Sequence, residues 1–177
     1  MVIHLRMKAK PQFEALVDAH SGELFAYLWR MLGDEAQAQD CLQDTFLRAY
    51  RAYERLEDSS YLRAWLYKIA TNTARTQLTK DGKRFARSTP LIEKIAAREK
   101  AVEVQVLERI SLAEVQQAVL ALPERQRAAL MLRKYQELEY EEIGAALGCS
   151  QESARANVYQ ALKKLQAIFK DEDDHEE

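Results

Sequence analysis

Residues 122–165 read LPERQRAALMLRKYQELEYEEIGAALGCSQESARANVYQALKKL, and this stretch decides the fold. Three apolar stripes run through it at helical spacing: Ala128, Met131, Leu132 and Tyr135, then Tyr140, Ile143 and Leu147, then Ala154, Val158, Ala161 and Leu165. Leu122-Pro123 sets the start, because proline disfavours helix in the residue before it and suits the first position of a new one. Gly148-Cys149-Ser150 leaves room only for a tight turn, with Ser150 placed to cap the next helix. Two helices so joined have the spacing of a helix-turn-helix. With the last stripe packed inward, Glu152, Ala156, Tyr159, Gln160 and Lys163 lie opposite, Ser153, Arg155 and Asn157 on the flanks and Gln151 at the start. Arg155 suits a guanine edge or a phosphate, and Asn157 or Gln160 an adenine. An ordinary helical hairpin in a core would show the same stripes.

Working outward, the first 80 residues also read as helices. Phe13, Leu16, Val17, Leu24, Leu28 and Met31 stripe a helix over 11–32. Gly33 stops it and Asp34 caps the next, with Gln37 three residues on. That second helix carries Leu42, Thr45, Phe46, Ala49, Tyr50, Tyr53 and Leu56 on one face. Opposite lie Asp40, Asp44, Leu47 and Arg51, with Gln43 beside them. An exposed leucine in an acidic, polar row suits a protein-binding face; a solvated face with one stray leucine is the plainer reading. A third helix buries Leu62, Leu66, Ile69 and Thr73, with Trp65 and Ala70 at the edges, and fades through Thr79-Lys80-Asp81-Gly82. Residues 83–111 lack a steady apolar period, which resumes near Val106, and read as a linker with some helix.

Composition agrees. Of 177 residues, 47% are apolar and 31% charged, with only five glycines and three prolines, which favours helices and excludes a disordered chain, a sandwich or a barrel. No run approaches the ~18 consecutive apolar residues of a membrane span, and the first residues lack a signal peptide's apolar core, so a cytoplasmic protein without membrane insertion is expected. Cys41 and Cys149 lie far apart, and His4, His20 and His175 are scattered, so no metal cluster, cofactor site or nucleophile–base pair assembles. An enzyme is not expected. The net charge of −2 conceals structure: residues 171–177, DEDDHEE, hold six acids, leaving +4 on residues 1–170. Residues 61–90 carry seven basic side chains against Asp81 alone, and residues 34–60 seven acids against three arginines. The basic block suits a polyanion, the acidic block a different partner.

Together AQDCLQDTFLRAYRAY (38–53), LRAWLYKIATNTA (62–74) and the opening stretch resemble the two-domain sigma factors of bacterial RNA polymerase, the extracytoplasmic-function (ECF) group. The resemblance covers about residues 10–80 and 112–166. It implies an all-α fold of two small domains: residues 1–82 for polymerase binding and −10 recognition, a linker over 83–111, and residues 112–170 for −35 recognition, followed by an acidic disordered tail over 171–177. It implies that Asp40, Gln43, Asp44, Leu47 and Arg51 meet the polymerase clamp, with Phe46 better suited to the core. Tyr61, Arg63, Trp65, Tyr67, Lys68, Asn72 and Arg75 would open the −10 element and hold an extruded base, a step costing a few kcal/mol of unstacking; Trp65 serves equally as a core residue. Gln151, Glu152, Ser153, Arg155, Ala156, Asn157, Tyr159, Gln160 and Lys163 would read the −35 element, with the polymerase flap holding that domain. The implied partners are core RNA polymerase, promoter DNA and an anti-sigma factor, the free chain being a monomer.

The chain departs from the family pattern at Thr76, where an aspartate is usual, at Glu152, where a glycine is usual, and at Asn157, Gln160 and Leu162, where arginines are frequent. Fewer phosphate contacts predict weaker, less salt-dependent DNA binding. Gly144, in place of alanine, predicts a loss of up to ~1 kcal/mol of helix stability. Two other readings fit the residues: a free-standing helix-turn-helix regulator, which would bind DNA as a dimer, and a helical adaptor that binds protein only. The linker predicts two separable modules cut apart first by proteolysis; modules docked on one another are the alternative.

Overall fold

A computed structural model describes residues 11–56, 61–87 and 112–173, which among them form seven helices and no strand. The helices are α1 (Phe13–Leu32), α2 (Glu35–Tyr53), α3 (Leu62–Arg87), α4 (Leu112–Ala121), α5 (Glu124–Lys134), α6 (Tyr140–Leu147) and α7 (Gln151–Asp173). Among the described residues no helix is long and apolar enough to cross a membrane, and no group of His, Cys, Asp and Glu could hold a metal ion.

Local chemistry sets the boundaries. Gly33 takes φ 73°, and its N–H bonds the Trp29 carbonyl, closing α1 in the left-handed conformation glycine adopts without penalty. The Asp34 carboxylate accepts the Gln37 N–H at 2.8 Å and opens α2. Gly148, at φ 63°, ends α6, and Ser150 Oγ accepts the Ser153 N–H to begin α7.

Two helices outrun their expected ends. α3 passes through Thr79–Gly82 to Arg87. Thr79 turns its hydroxyl back onto the Arg75 carbonyl, and Gly82 does not take the left-handed conformation that stops a helix, so propagation is cheaper than termination. α7 likewise continues to Asp173, three residues into the segment expected to be disordered. The linker expectation for 88–111 and the rest of the tail, 174–177, fall outside the described residues.

Helices α1–α3 form one group and α4–α7 another, and the groups are docked. α3 packs on α6 and α1 on α5 as well as on their own neighbours. A single buried cluster runs from Leu24, Leu28 and Met31 through Leu66 and Ala70 to Leu132 and Ile143. Docking explains why the α3 stripe is broader than its sequence suggests. Leu66 and Thr73 are buried as expected, whereas Leu62 and Ile69 are only half-buried; Ala64, Tyr67, Thr71 and Ala74, and Ala70 from the expected edge, are buried instead, because this side meets α1 and the second group. On α2 the buried row is Ala38, Cys41, Thr45, Ala49 and Tyr53. Tyr50, expected inside, is 62% exposed, with only its ring edge against Phe13.

Polar contacts tie the groups together. Tyr67 Oη donates to Gln136 Oε1 at 2.9 Å, both residues being buried. Arg75 Nε meets Glu124 Oε1 at 2.6 Å, and the Arg30 guanidinium lies 4.2 Å from the Tyr135 ring centre. Arg127, 8% exposed, donates Nη1 to the Met31 carbonyl and Nη2 to the Leu122 carbonyl. Met31 lies in the last turn of α1, where carbonyls lack intrahelical partners and the helix dipole favours a cation.

Gly144 is not the weak point its propensity suggests. A Cβ there would lie 2.7 Å from the Cys149 carbonyl oxygen, so with this turn geometry a side chain at 144 would force the turn backbone to shift.

Candidate nucleic-acid and polymerase interfaces

On α3, Tyr61, Trp65, Lys68 and Asn72 recur at intervals of four and three residues and so share one face. Tyr61, just before the helix, is 51% exposed, and Lys68 and Asn72 are exposed. Trp65 is half-buried, its ring tilted on Tyr53 at 6.2 Å, so one face packs while the rest stays accessible.

The other three residues expected at the −10 element are engaged internally. Arg63 reaches back to α1 and grips both Glu23 oxygens, at 2.7 and 3.2 Å, while His20 bonds the same carboxylate. Burial acts to raise the Glu23 pKa, but its bonds to Arg63 and His20 outweigh this and hold it below the usual range. The same bond to Glu23 raises Arg63. Tyr67 is fully buried, its hydroxyl spent on Gln136 and its pKa pushed up by that burial and by the nearby Glu23. In this structure it is a core residue, not a surface one. Arg75 is paired with Glu124.

The acidic face of α2 is open. Asp40, Gln43 and Arg51 are exposed, Asp44 is partly so, and Leu47 is 57% exposed. Asp44 pairs with Arg48 at 2.9 Å. Phe46 packs against the core, edge-on to Phe13. A hollow of about 190 Å³ runs between α2 and α3, lined by Asp40, Asp44, Thr73, Thr76, Gln77 and Lys80 among others, so the acidic row borders the basic end of α3.

The α7 face is the most accessible of all. Gln151, Glu152, Ser153, Arg155, Ala156, Tyr159, Gln160 and Lys163 are exposed, and Tyr159 reaches 66%. Asn157 is half-buried and donates to the Ser153 carbonyl. Gln160 accepts from Gln126. Gln151, Glu152, Arg155, Ala156 and Tyr159 line an open hollow of about 430 Å³. Backbone and Ser150 hydrogen bonds at the start of α7 keep the Glu152 carboxyl below its ordinary range, so a negative charge stands where the sequence already lacks a glycine.

Sequence reading missed the support beneath Arg155. Its guanidinium lies 5.1 Å from the Tyr140 ring centre, and Arg133 approaches the same ring at 4.9 Å. Tyr140 counted only as an apolar stripe residue, yet it is a platform that restricts where Arg155 points. An arginine on either side of an aromatic opening α6 was the available signal.

These faces, on an all-helical scaffold with a helix-turn-helix, define a DNA-binding class of protein with a separate protein-binding surface. Sigma-70 region 2 matches residues 16–84 and sigma-70 region 4 matches residues 112–165. The RNA polymerase sigma-H factor of Pseudomonas aeruginosa is 30% identical over 168 residues, covering 88% of this chain and 85% of the relative. The ECF RNA polymerase sigma-E factor of Haemophilus influenzae is 27% identical, covering 94% and 92%. Among solved structures, a sigma factor from Bartonella quintana, crystallised with the anti-sigma factor NepR, superposes with a TM-score of 0.71 at 25% identity, covering 89% of this chain and 96% of that one. The chain belongs to the sigma factors of bacterial RNA polymerase, in the ECF group.

Proposed function

We propose that this sigma factor binds the polymerase clamp through Asp40, Gln43, Asp44, Leu47 and Arg51. Its α3 stripe, with the segment before it, opens the −10 element, and α7 reads the −35 element while the flap holds α4–α7. In this reading the first domain ends with α3 and the second starts at α4. The chain acts by binding in the cytoplasm rather than by catalysis. An anti-sigma factor fits as a further partner, since the Bartonella relative was crystallised with one.

The observation that carries this reading is the exposure, on one chain, of three chemically distinct faces: acidic with a bare leucine on α2, aromatic and basic on α3, polar with Arg155 on α7. A free-standing regulator would leave the first without use, and a protein-only adaptor the third. The test is Asp44→Lys in full-length protein. Affinity for core polymerase should fall at least tenfold, about 1.4 kcal/mol, with helicity unchanged. Near-normal affinity refutes the clamp assignment.

A further inference from the structure

The recognition face of α7 spends its polar groups unevenly. Asn157 donates to the Ser153 carbonyl and the Gln160 carbonyl accepts from Gln126, so the two amides suited to adenine are partly used within the chain. Arg155 leans on the Tyr140 ring, 5.1 Å from its centre. Among the described residues no ion pair joins it to Glu152, three residues earlier on the same face. Glu152 is exposed in the first turn of α7, where hydrogen bonds from its own N–H and from Ser150 hold its carboxylate. Those bonds orient the head group without using it up, since an ionised carboxylate offers about four lone-pair sites. Glu152 and Arg155 line one open hollow, which the short side chain of Ala156 leaves clear.

We propose that Glu152 is a specificity-determining residue that accepts a hydrogen bond from the exocyclic amino group of a cytosine in the −35 element, at or beside the base pair that Arg155 contacts. This rests on the reading of α7 as the −35 helix. Glycine is usual at this position, and glycine can make no such contact.

A carboxylate at the surface of DNA has few choices. Phosphates repel it, and in the major groove guanine presents only acceptors and thymine an acceptor and a methyl group. Only the amino groups of cytosine and adenine donate there. Adenine's lies beside N7, an acceptor on the same base that the second carboxylate oxygen would meet. Cytosine's lies beside a C–H, so cytosine is favoured. The placement agrees. In a recognition helix the N-terminal residues reach the base edges, and Glu152 is the second residue of α7 and Arg155 the fifth. Three residues rise about 4.5 Å along a helix, close to the ~3.4 Å between base pairs. The same charge repels phosphate at every sequence and is compensated only where the amino group stands. Selectivity therefore comes from a penalty on wrong sequences as well as from a contact with the right one.

The test selects duplexes bound by reconstituted holoenzyme from a promoter library randomised over both elements, using wild type, Glu152→Ala, Glu152→Gln and Arg155→Ala. Wild type should retain cytosine about tenfold over other bases at one −35 pair. Glu152→Ala should lose that preference alone and bind unselected sequences about threefold more tightly. Glu152→Gln, which offers a donor and an acceptor, should move the preference to adenine. The guanine preference that depends on Arg155 should persist in both Glu152 variants. An identical base profile for wild type and Glu152→Ala overturns the proposal, as does loss of a preference for any base other than cytosine. Should Glu152→Ala lose helicity, the isosteric Glu152→Gln alone decides by the same profile. Arg155→Ala tests the underlying reading separately: if it erases a −35 preference while the Glu152 variants change nothing, α7 reads the element and only the role of Glu152 is wrong. If wild type selects no −35 base at all, both readings are overturned.

Discussion

α3 and α7 both carry basic and aromatic residues proposed to meet DNA, yet they spend them differently. On α3, Arg63 is clamped to Glu23 and Arg75 to Glu124, and the Tyr67 ring is inside. On α7, Arg155, Lys163 and Lys164 are exposed, and Arg155 rests against the Tyr140 ring. The sequence suggests the reverse, a strongly basic 61–90 and a depleted recognition helix. A charge count treats every arginine as available; the structure shows that two of those on α3 are tied up holding helices together. Lys68 and Lys80 remain exposed there.

The sharpest way to break this contrast is to remove one arginine from each helix. In the holoenzyme, Arg155→Ala should lose about 1–3 kcal/mol of discrimination at the −35 element, roughly ten- to hundredfold. Arg63→Ala should instead lower the melting temperature and leave the salt dependence of promoter binding nearly unchanged. Competition binding to matched and scrambled promoters over a salt series measures both. If Arg63→Ala reduces the salt slope by about one, its ion pair opens on DNA and the contrast fails.

A second comparison sets two helical glycines against each other. At Gly144 a new methyl meets backbone, and Gly144→Ala should cost about 1–3 kcal/mol of the second half's stability through overpacking. At Gly22, in the interior of α1, nothing lies within 4 Å, and Gly22→Ala should stabilise by about 0.5–1 kcal/mol. Thermal unfolding followed by circular dichroism gives both signs. Equal shifts would mean that the turn relaxes around the methyl.

The smallest effect is on pH. Glu23 has its pKa lowered in the fold, so its contribution is fully present above the ordinary glutamate value and disappears as pH falls through the depressed one. Wild type should therefore lose stability towards acid more steeply than Glu23→Gln, in matched melts from neutral pH down to about 3. On the recognition face of α7 the exposed Glu152 is also held low, by hydrogen bonds at the start of the helix, and acts in the same direction. Parallel curves would show that the Arg63–Glu23 pair adds nothing measurable.

What the sequence made legible was local. Caps at Gly33, Asp34, Gly148 and Ser150, the inward row Ala154, Val158 and Ala161, and the outward Leu47 follow from periodicity and turn chemistry, and the structure agrees. The family motifs placed both halves. Docking was not legible, because its specific contacts join polar residues whose partners are 49 to 96 positions away, and hydrophobic spacing carries no information at that range. Tyr67 illustrates the loss: the family resemblance put it among the −10 residues, and its packing on Tyr27 with its bond to Gln136 makes it a core one. Gly144 shows the complement, a residue judged by propensity whose role is set by the turn folding back on it.

The same separation has a consequence for synthesis. Tyr67 is made 69 residues before Gln136, and at about 5–20 residues per second that is an interval of roughly 3–14 s. Once α3 is made, and until the second half follows, the nascent α1–α3 group presents an uncovered patch, with the Tyr67 phenol lacking its Gln136 partner and the helix end at Met31 lacking Arg127. That interval is a window in which a chaperone, or a binding partner already present, can reach the patch before the chain's own second half is made.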